Sequence, residues 1–364
     1  MEQKPVLIHL ISSNKWGGAQ RYAFDICNYY HSQGWRVAAV TRDAKVIDNH
    51  FRDAGIPLVH SPLRGFFDPA SAIILAKLFK GLPVDNSFVH VHRYRDAFTA
   101  FLAKRLAKRP DIRVISTRHV VRPGRNSWLF RRIYDKVNAH IFVSRAAFDR
   151  FRSSWPAKLP MGEHTVHILH NSLNEPYAES VPEPERGPLF AIYAGPVVAG
   201  KGIETLIDAL PALRRAKLRL RIAGNGNPDY FDRLRRRAMN RGVMEMIDWK
   251  RVADVPLDLI TQSHFAVLPS VEREGFGLVN VAVMAAGRPQ ICSPNGAQTE
   301  YLTDGQTAIF VPPADAHALA KAMLKLAGDA ELRKKIGSAA LDAYTANLSW
   351  KSFIPKLTQI YFKA

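Results

Sequence analysis

The sequence predicts an α/β protein made of two doubly wound domains in succession. Three observations predict it. Short apolar runs of strand length alternate with segments of helical spacing along nearly all of the 364 residues. The alternation breaks once, at residues 175–188, a stretch rich in Pro and Glu, and then restarts. The length is enough for two cores of ordinary size. The predicted boundaries are 1–174 for the first domain, 175–188 for a linker, 189–348 for the second domain and 349–364 for a last amphipathic helix.

In the first domain, Val6–Ile11 is a strand. Residues 12–18 are a loop that runs into Gly17, Gly18 and Arg21, and residues 22–34 have helical spacing through Tyr22, Ile26, Tyr29 and Tyr30, with Gly34 as a stop. A strand at 35–41 completes a β–Gly-rich loop–α–β unit, the opening of a doubly wound half. Helices follow at 43–54, 69–80, 96–108 and 126–138, and strands at 57–60, 88–92, 113–117 and 140–144. His119 stands just past the strand at 113–117, at the carboxyl end, where doubly wound sheets place ligands. His90 and His92 flank Val91 and form at most an incomplete metal pair.

The second domain repeats the theme. A strand at 190–194 leads through Gly195, Pro196, Gly200, Lys201 and Gly202 into a helix that reaches Leu213. Strands follow at 218–223, 246–249, 265–268 and 290–293, with helices at 230–241, 255–262, 315–327, 332–344 and 350–362. Residues 267–287, VLPSVEREGFGLVNVAVMAAG, organise this domain. A buried strand ends at Pro269-Ser270, a polar loop turns at Gly275 and Gly277, and a helix begins. Free backbone N–H groups and the positive end of a helix dipole then face the carboxyl edge of the sheet, which suits a phosphate-bearing ligand. Glu274 is placed to accept hydrogen bonds from hydroxyl groups.

Composition narrows the partners. Hydrophobic residues make up 47% of the chain and the mean hydropathy is −0.14, values of a water-soluble globular protein. Cys27 and Cys292 sit in apolar patterns, which implies neither a disulfide framework nor a metal site and fits a reducing cytoplasm. The short apolar run near the N-terminus reads as a strand, not a leader, and no apolar run approaches membrane-spanning length. The net charge of +19 calls for an acidic partner: nucleic acid, an anionic membrane or a phosphorylated substrate. Between Arg93 and Arg152 there are 16 Lys and Arg against four acids. Nucleic acid is disfavoured because no aromatic-bearing recognition motif accompanies the basic residues, which fall mostly on helices.

The stretch Pro269-Ser270, Glu274-Gly275-Phe276-Gly277-Leu278, Met284-Ala285 and Gly287 resembles the donor-site signature of retaining glycosyltransferases of family 4, with the GT-B fold. The Gly17-Gly18…Arg21 loop, Lys201-Gly202, the segment at 166–174 and the turn at 296–302 resemble further parts of that family, so the likeness covers nearly the whole chain. It implies two Rossmann-like domains facing a central cleft, with the last helix crossing back to the first. It implies transfer of a sugar from a nucleotide-sugar donor. His119 and Glu274 are the implied catalytic residues. Gly17, Gly18, Arg21, Lys201, Gly275, Phe276, Gly277, Leu278, Val279 and Asn280 are the implied donor contacts. No cofactor or metal is expected, and no Asp-x-Asp triplet occurs in the chain. The expected acceptor is an anionic glycan or glycolipid of bacterial cell-surface polysaccharide synthesis, a lipopolysaccharide or lipid-linked oligosaccharide, reached peripherally on the inner face of the cytoplasmic membrane.

Two positions depart from the family pattern. Ala282 stands where a second Glu holds the nucleotide ribose, and Pro196 where an Arg meets the diphosphate. Loss of a charged two-acceptor contact removes about 1.5–3 kcal/mol. Three readings follow: another residue such as Asn280 or Glu300 holds the ribose, the donor is unusual, or activity is weak or lost. The alternatives to transfer are accordingly a degenerate protein that binds an anionic partner without catalysis, and a sugar phosphorylase or epimerase on the same fold.

Overall fold

The computed structural model describes residues 4–155, 158–174, 188–252 and 257–364. It divides into two compact units: Met1–Asn174 with Phe353–Ala364, and Glu175–Ser352. Residues 175–187 of the predicted linker, and Val255 and Pro256 of a predicted helix, lie outside the described residues.

Unit 1 runs β1 (Val6–Ile11), α1 (Gly18–Ser32), β2 (Arg36–Thr41), α2 (Lys45–Asp53), β3 (Leu58–His60), α3 (Pro69–Lys80), β4 (Ser87–Val91), α4 (Tyr94–Ala107), β5 (Arg113–Arg118), α5 (Trp128–Lys136), β6 (Ala139–Phe142), α6 (Arg145–Arg152) and β7 (Val166–Ile168). Its sheet is parallel throughout, in the order β3-β2-β1-β4-β5-β6-β7. Every residue of β1 and β4 is buried, which is why both strands read as unbroken runs and not as alternation. The strand order reverses between β1 and β4, where Leu7 pairs with Phe88 and His9 with His90. That crevice is the ligand position of a doubly wound sheet.

Unit 2 runs β8 (Leu189–Ala194), α7 (Ile203–Ala209), β9 (Leu218–Ala223), α8 (Pro228–Asn240), β10 (Ile247–Lys250), α9 (Leu257–Thr261), β11 (Phe265–Leu268), α10 (Leu278–Ala285), β12 (Gln290–Cys292), β13 (Ile309–Phe310), α11 (Ala316–Gly328) and α12 (Ala330–Asn347). Its parallel sheet has the order β10-β9-β8-β11-β12-β13, with the reversal between β8 and β11. The chain ends in α13 (Trp350–Lys363), whose part from Phe353 onward belongs to unit 1. There the Thr358 hydroxyl meets Tyr30 at 2.7 Å, the Tyr361 hydroxyl meets His90 Nδ1 at 2.7 Å, and Arg113 donates to the Phe362 carbonyl at 3.0 Å. The two Rossmann-like domains are thus as the sequence predicts.

Three local features differ from expectation. The first helix begins at Gly18, not at Tyr22, because the Gly17 carbonyl accepts from both Gln20 and Arg21 N–H at 2.9 Å. The helix expected to reach Leu213 leaves α geometry at Leu210 and continues as a 3₁₀ segment to Ala216, since Pro211 has no N–H to give. Helix α6 was not evident from pattern. Its N-cap is Ser144, whose hydroxyl accepts from Ala147 N–H at 3.1 Å.

The core of unit 1 holds three histidines with no exposed surface, His9, His90 and His140. His140 is clamped between the Tyr94 hydroxyl at 3.0 Å and the Tyr134 carbonyl at 2.9 Å. Burial pushes the His9 and His140 rings down to about 3, and His90 is pushed down by burial and by the neighbouring His9 and His119. All three are therefore neutral when folded and charge when unfolded in acid. Their stability contribution is full above about pH 6.5 and is lost as pH falls below it, by ~1.4 kcal/mol per histidine per pH unit. Urea denaturation monitored from pH 7.5 to 5 is expected to show a steep fall in midpoint below about pH 6.5, lessened in His140→Phe. A flat profile would contradict the neutral core.

Candidate functional site

In unit 2 the site forms at the strand-order reversal, from the loops that leave β8 and β11. The Gly200 carbonyl accepts from Val271 N–H at 2.8 Å and Glu272 N–H at 3.0 Å, which stitches one loop to the other. Gly202 caps α7 with φ 74°, and a Cβ there would lie 1.9 Å from the Pro269 carbonyl oxygen. Only glycine permits this approach. Lys201, between the two glycines, consequently faces Glu274. Its ammonium donates to Glu274 Oε1, and the Ser270 hydroxyl donates to the same oxygen at 2.5 Å. Both charged side chains are largely but not fully buried, so the pair remains within reach of a ligand.

A third loop fixes the second. Asn295 Nδ2 donates to the carbonyls of Ser270 at 2.6 Å and Glu272 at 3.0 Å, and the Glu274 carbonyl accepts from Ala297 N–H at 3.2 Å. The Tyr301 hydroxyl donates to the Phe276 carbonyl, and the two rings lie 5.2 Å apart. Gly277, at φ 89°, then caps α10, with Leu278, Val279 and Asn280 in its first turn. Gly275 through Val279 are thereby gathered at a helix N-terminus beside Lys201 and Glu274, and Val279 lies against Gly195. Pro196 gives its carbonyl to the Tyr193 hydroxyl at 2.7 Å. A groove of about 610 Å³ adjoins this loop, lined by Val197, Val198 and Ala199 and, from α8, by Arg233 and Arg236.

The side chain of Asn280 is anchored through its amide nitrogen. It is buried, its Nδ2 donates to Gln290 Oε1 at 2.7 Å, and the Asn280 backbone carbonyl accepts from Gln290 Nε2 at 3.2 Å. The amide oxygen of Asn280 thus stays at the start of α10, beside Gly277. Ala282 itself has no exposed surface.

In unit 1 the structure brings Gly17, Gly18, Arg21 and His119 to the same edge. The Tyr22 ring, one residue past Arg21, packs edge-on to His119 with centroids 5.0 Å apart. Arg21 is paired with Asp25 on its own helix at 2.9 Å, a contact absent from sequence reasoning. His119 is half-buried and burial pushes its ring down to about 3, so it is neutral near pH 7. His92 Nδ1 lies 3.1 Å from His119 Nε2, and His92 Nε2 lies 3.0 Å from His9 Nδ1. The sequence could have hinted at this chain only through one histidine inside a predicted strand and two at the ends of others. Nearby, the Ser12 hydroxyl donates to Asp96 Oδ2 at 2.6 Å, and burial pushes that carboxyl up to about 6.

Elsewhere in unit 1, Asp43, Asp48 and His60 bring candidate ligand atoms within 4.8 Å of one another. Asp48 already accepts from Thr41 Oγ1 at 2.7 Å and from His60 Nε2 at 2.9 Å, and the Arg52 guanidinium stands 3.9 Å away. A cation is poorly matched to that setting.

Two family models match the chain, Glycosyltransferase Family 4 over residues 16–174 and Glycosyl transferases group 1 over residues 178–342. A glycogen synthase of Mycobacterium tuberculosis is 28% identical over 80% of this chain and 74% of its own length. A phosphatidyl-myo-inositol mannosyltransferase of Mycobacterium leprae is 25% identical over 95% and 92%. Among solved structures, a glycosyltransferase from Rickettsia africae superposes with a TM-score of 0.84 at 19% identity, covering 98% of each chain. Anabaena HepE in complex with UDP-glucose superposes at 0.78 with 16% identity, covering 99% of this chain and all of the other.

The close approach at Gly202 has a measurable consequence. Gly202→Ala is expected to destabilise unit 2 by more than ~2 kcal/mol, from the left-handed φ and the clash with Pro269. Gly55→Ala, also at positive φ (69°) but with open space around it, should cost only about 1 kcal/mol. Thermal denaturation of the two variants separates clash from strain; equal losses would contradict the steric account.

Proposed function

The chain belongs to the group 1, family 4 glycosyltransferases of GT-B type, and from that premise we propose that it transfers a sugar, with retention, from a nucleotide-sugar donor to an anionic glycolipid, without a metal. The observation that carries the reading is the Lys201–Glu274–Ser270 cluster beside the N-terminus of α10, at the strand-order reversal of unit 2. A nucleotide-sugar donor is supported by the UDP-glucose bound in the Anabaena neighbour.

The chemistry follows from charge. The departing diphosphate gains negative charge as the sugar ring becomes cationic. Lys201 and the unpaired N–H groups at the start of α10 offer positive potential to the phosphates, in the role a metal otherwise fills. Glu274 accepts from sugar hydroxyls. In the ligand-free site Lys201 neutralises Glu274; an arriving diphosphate draws the ammonium away and frees the carboxylate for the sugar. Ser270 keeps the carboxylate in place during that exchange. His119, neutral and half-buried at the edge of unit 1, addresses the sugar or acceptor. Glu300 and the Asn280 amide oxygen are the candidates for the ribose, with Nδ2 of Asn280 held by Gln290. Arg233 and Arg236 supply cations in the groove beside Pro196.

An anionic membrane partner is supported by the surface of unit 1. Trp128 is 74% exposed and Phe67 is 70% exposed. Phe67 connects through ring contacts with Phe98, Phe98 with Phe66, and Phe66 with Phe130, which lies two residues past Trp128 in α5. The Arg125 guanidinium lies over the Phe130 ring at 5.2 Å. Exposed aromatics beside cations suit a lipid headgroup layer, at about 1 kcal/mol per basic residue near an anionic surface. Lipopolysaccharide or lipid-linked oligosaccharide synthesis at the inner face of the cytoplasmic membrane is the setting that fits. No helix among the described residues is long and apolar enough to cross a membrane.

Two experiments test this. A panel of UDP-, GDP-, ADP- and CMP-sugars, with release of the nucleotide as readout, should identify one donor. Lys201→Met and Glu274→Gln should each lower that turnover by ~10²–10³-fold. Binding without turnover by any donor would favour the non-catalytic reading, and sugar phosphate formed from a glycan and inorganic phosphate, with no nucleotide-sugar consumed, would favour a phosphorylase. Separately, the Phe67→Ala, Trp128→Ala double variant should bind anionic vesicles at least tenfold more weakly than the parent chain. Equal binding would remove the membrane patch.

A further inference from the structure

The carboxyl edge of β1, β4 and β5 contains a continuous chain of three imidazoles. His9 lies in β1 with no exposed surface, His92 follows β4, and His119 follows β5. The contacts are His9 Nδ1 to His92 Nε2 at 3.0 Å and His92 Nδ1 to His119 Nε2 at 3.1 Å. His9 Nε2, at the inner end, is buried without a partner. His119 Nδ1, at the outer end, has no partner among the described residues and is not among their buried unpartnered atoms.

A neutral imidazole carries one proton, so both contacts can be hydrogen bonds in only two ways. In one, every ring donates outward: His9 Nδ1–H to His92, His92 Nδ1–H to His119 Nε2, with the last proton on His119 Nδ1. In the other, every ring donates inward and His9 Nε2–H points into the core with nothing to accept it. Orphaned buried N–H groups are the rarer defect in folded proteins, and the outward arrangement has none. The choice made at His9 is passed along the chain, because reversing one ring breaks a bond unless all reverse.

We propose that His9 and His92 are positioning residues that hold His119 as the neutral Nδ1–H tautomer, so that it offers a hydrogen-bond donor, not a base, to an oxygen of the bound sugar or acceptor. This inverts the default, since an isolated histidine in water prefers the Nε2–H form. It also separates the roles of the two implied catalytic residues. Glu274 accepts from hydroxyl groups; His119 donates to an oxygen lone pair. Proton removal from the acceptor hydroxyl then does not pass through His119. The lowered basicity of His119 agrees with this, since a half-buried ring already accepting at Nε2 gains no second proton near pH 7. The neighbouring His90 is outside the chain: its two nitrogens meet Thr117 Oγ1 and the Tyr361 hydroxyl, each at 2.7 Å.

The inference rests on the sugar-contact reading of His119 for its function, but its structural part is testable without any donor. Full-length protein labelled with ¹⁵N-histidine, ligand-free at pH 7.5, is read by two-bond ¹H–¹⁵N correlation, with His119→Gln to assign the resonance. The expected result is a protonated Nδ1 and bare Nε2 at His119. A protonated Nε2 in the parent chain overturns the proposal. His92→Phe cuts the chain and should return His119 toward Nε2–H, with kcat down at least tenfold and donor KM within about threefold. His92→Gln restores an acceptor and a donor in the same direction, and should recover the Nδ1–H form and most of kcat. An unchanged tautomer in folded His92→Phe also overturns it. An Nδ1–H signal in a chain with no transferase activity would retain the lock and reject the glycosyl-transfer reading instead.

Discussion

The candidate donor site depends on the contact of Gly202 with the Pro269 carbonyl. Two loops leave adjacent strands at the point where the strand order reverses, and they would diverge if either carried a side chain at this spot. Because they touch, the Gly200 carbonyl can accept two N–H groups from the other loop, Lys201 has only Glu274 to face, and the carboxylate is near the start of α10. The third loop, with Asn295 and Tyr301, does not create this arrangement. It removes the remaining freedom by saturating the carbonyls of Ser270, Glu272 and Phe276. A loop with the carbonyls of Ser270, Glu272, Glu274 and Phe276 engaged cannot rearrange without losing hydrogen bonds worth about 1 kcal/mol each. The site is therefore organised ahead of any ligand, and the mobile part is the Lys201 ammonium at the end of a flexible stem.

Unit 1 solves a different problem. A sheet covered on both faces leaves no water for polar side chains, yet its central strands carry histidines. Each ring is accommodated by partners on neighbouring elements: Tyr94 and the Tyr134 carbonyl for His140, Thr117 and Tyr361 for His90, His92 for His9. The Tyr361 contact also explains why the last helix belongs to this unit. Its hydroxyl completes a core histidine, and Thr358 completes Tyr30, so removing the helix would expose apolar surface and orphan two buried polar groups together.

Most of the fold was legible in the sequence because parallel strands buried on both faces give continuous apolar runs, and the intervening helices begin at recognisable caps. The strands Val6–Ile11, Leu218–Ala223 and Phe265–Leu268 and the helix Pro69–Lys80 have the predicted bounds. Failures lie where a local rule was overridden or short. Gly17 and Gly18 looked like loop, yet Gly17 serves as a cap without a side chain, and α6 has only eight residues of pattern. At the site, the Gly-rich connection and the Lys201 and Glu274 pair were visible as motifs. The His9–His92–His119 chain was not, because three histidines far apart in sequence meet only through sheet order and strand register.

The two departures from the family pattern have different physical standing. Pro196 lacks a cation but keeps the loop in place through its carbonyl, so positive charge has to come from neighbouring elements such as α8. Ala282 sits in a helix face that is apolar and closed: Val281, Val283, Met284 and Ala285 are all buried around it, and Asn280 is locked to Gln290. A helix so fitted to its core offers a ribose no carboxylate, only the Asn280 amide oxygen beside Gly277. A carboxylate to replace the absent Glu therefore has to come from outside α10. The turn at Ala297–Glu300 meets that requirement, since Gly296 packs directly on the Glu274 backbone and carries Glu300 with it. If that carboxylate holds the ribose, the donor is anchored by the loop that braces Glu274, and loss of one would disturb the other.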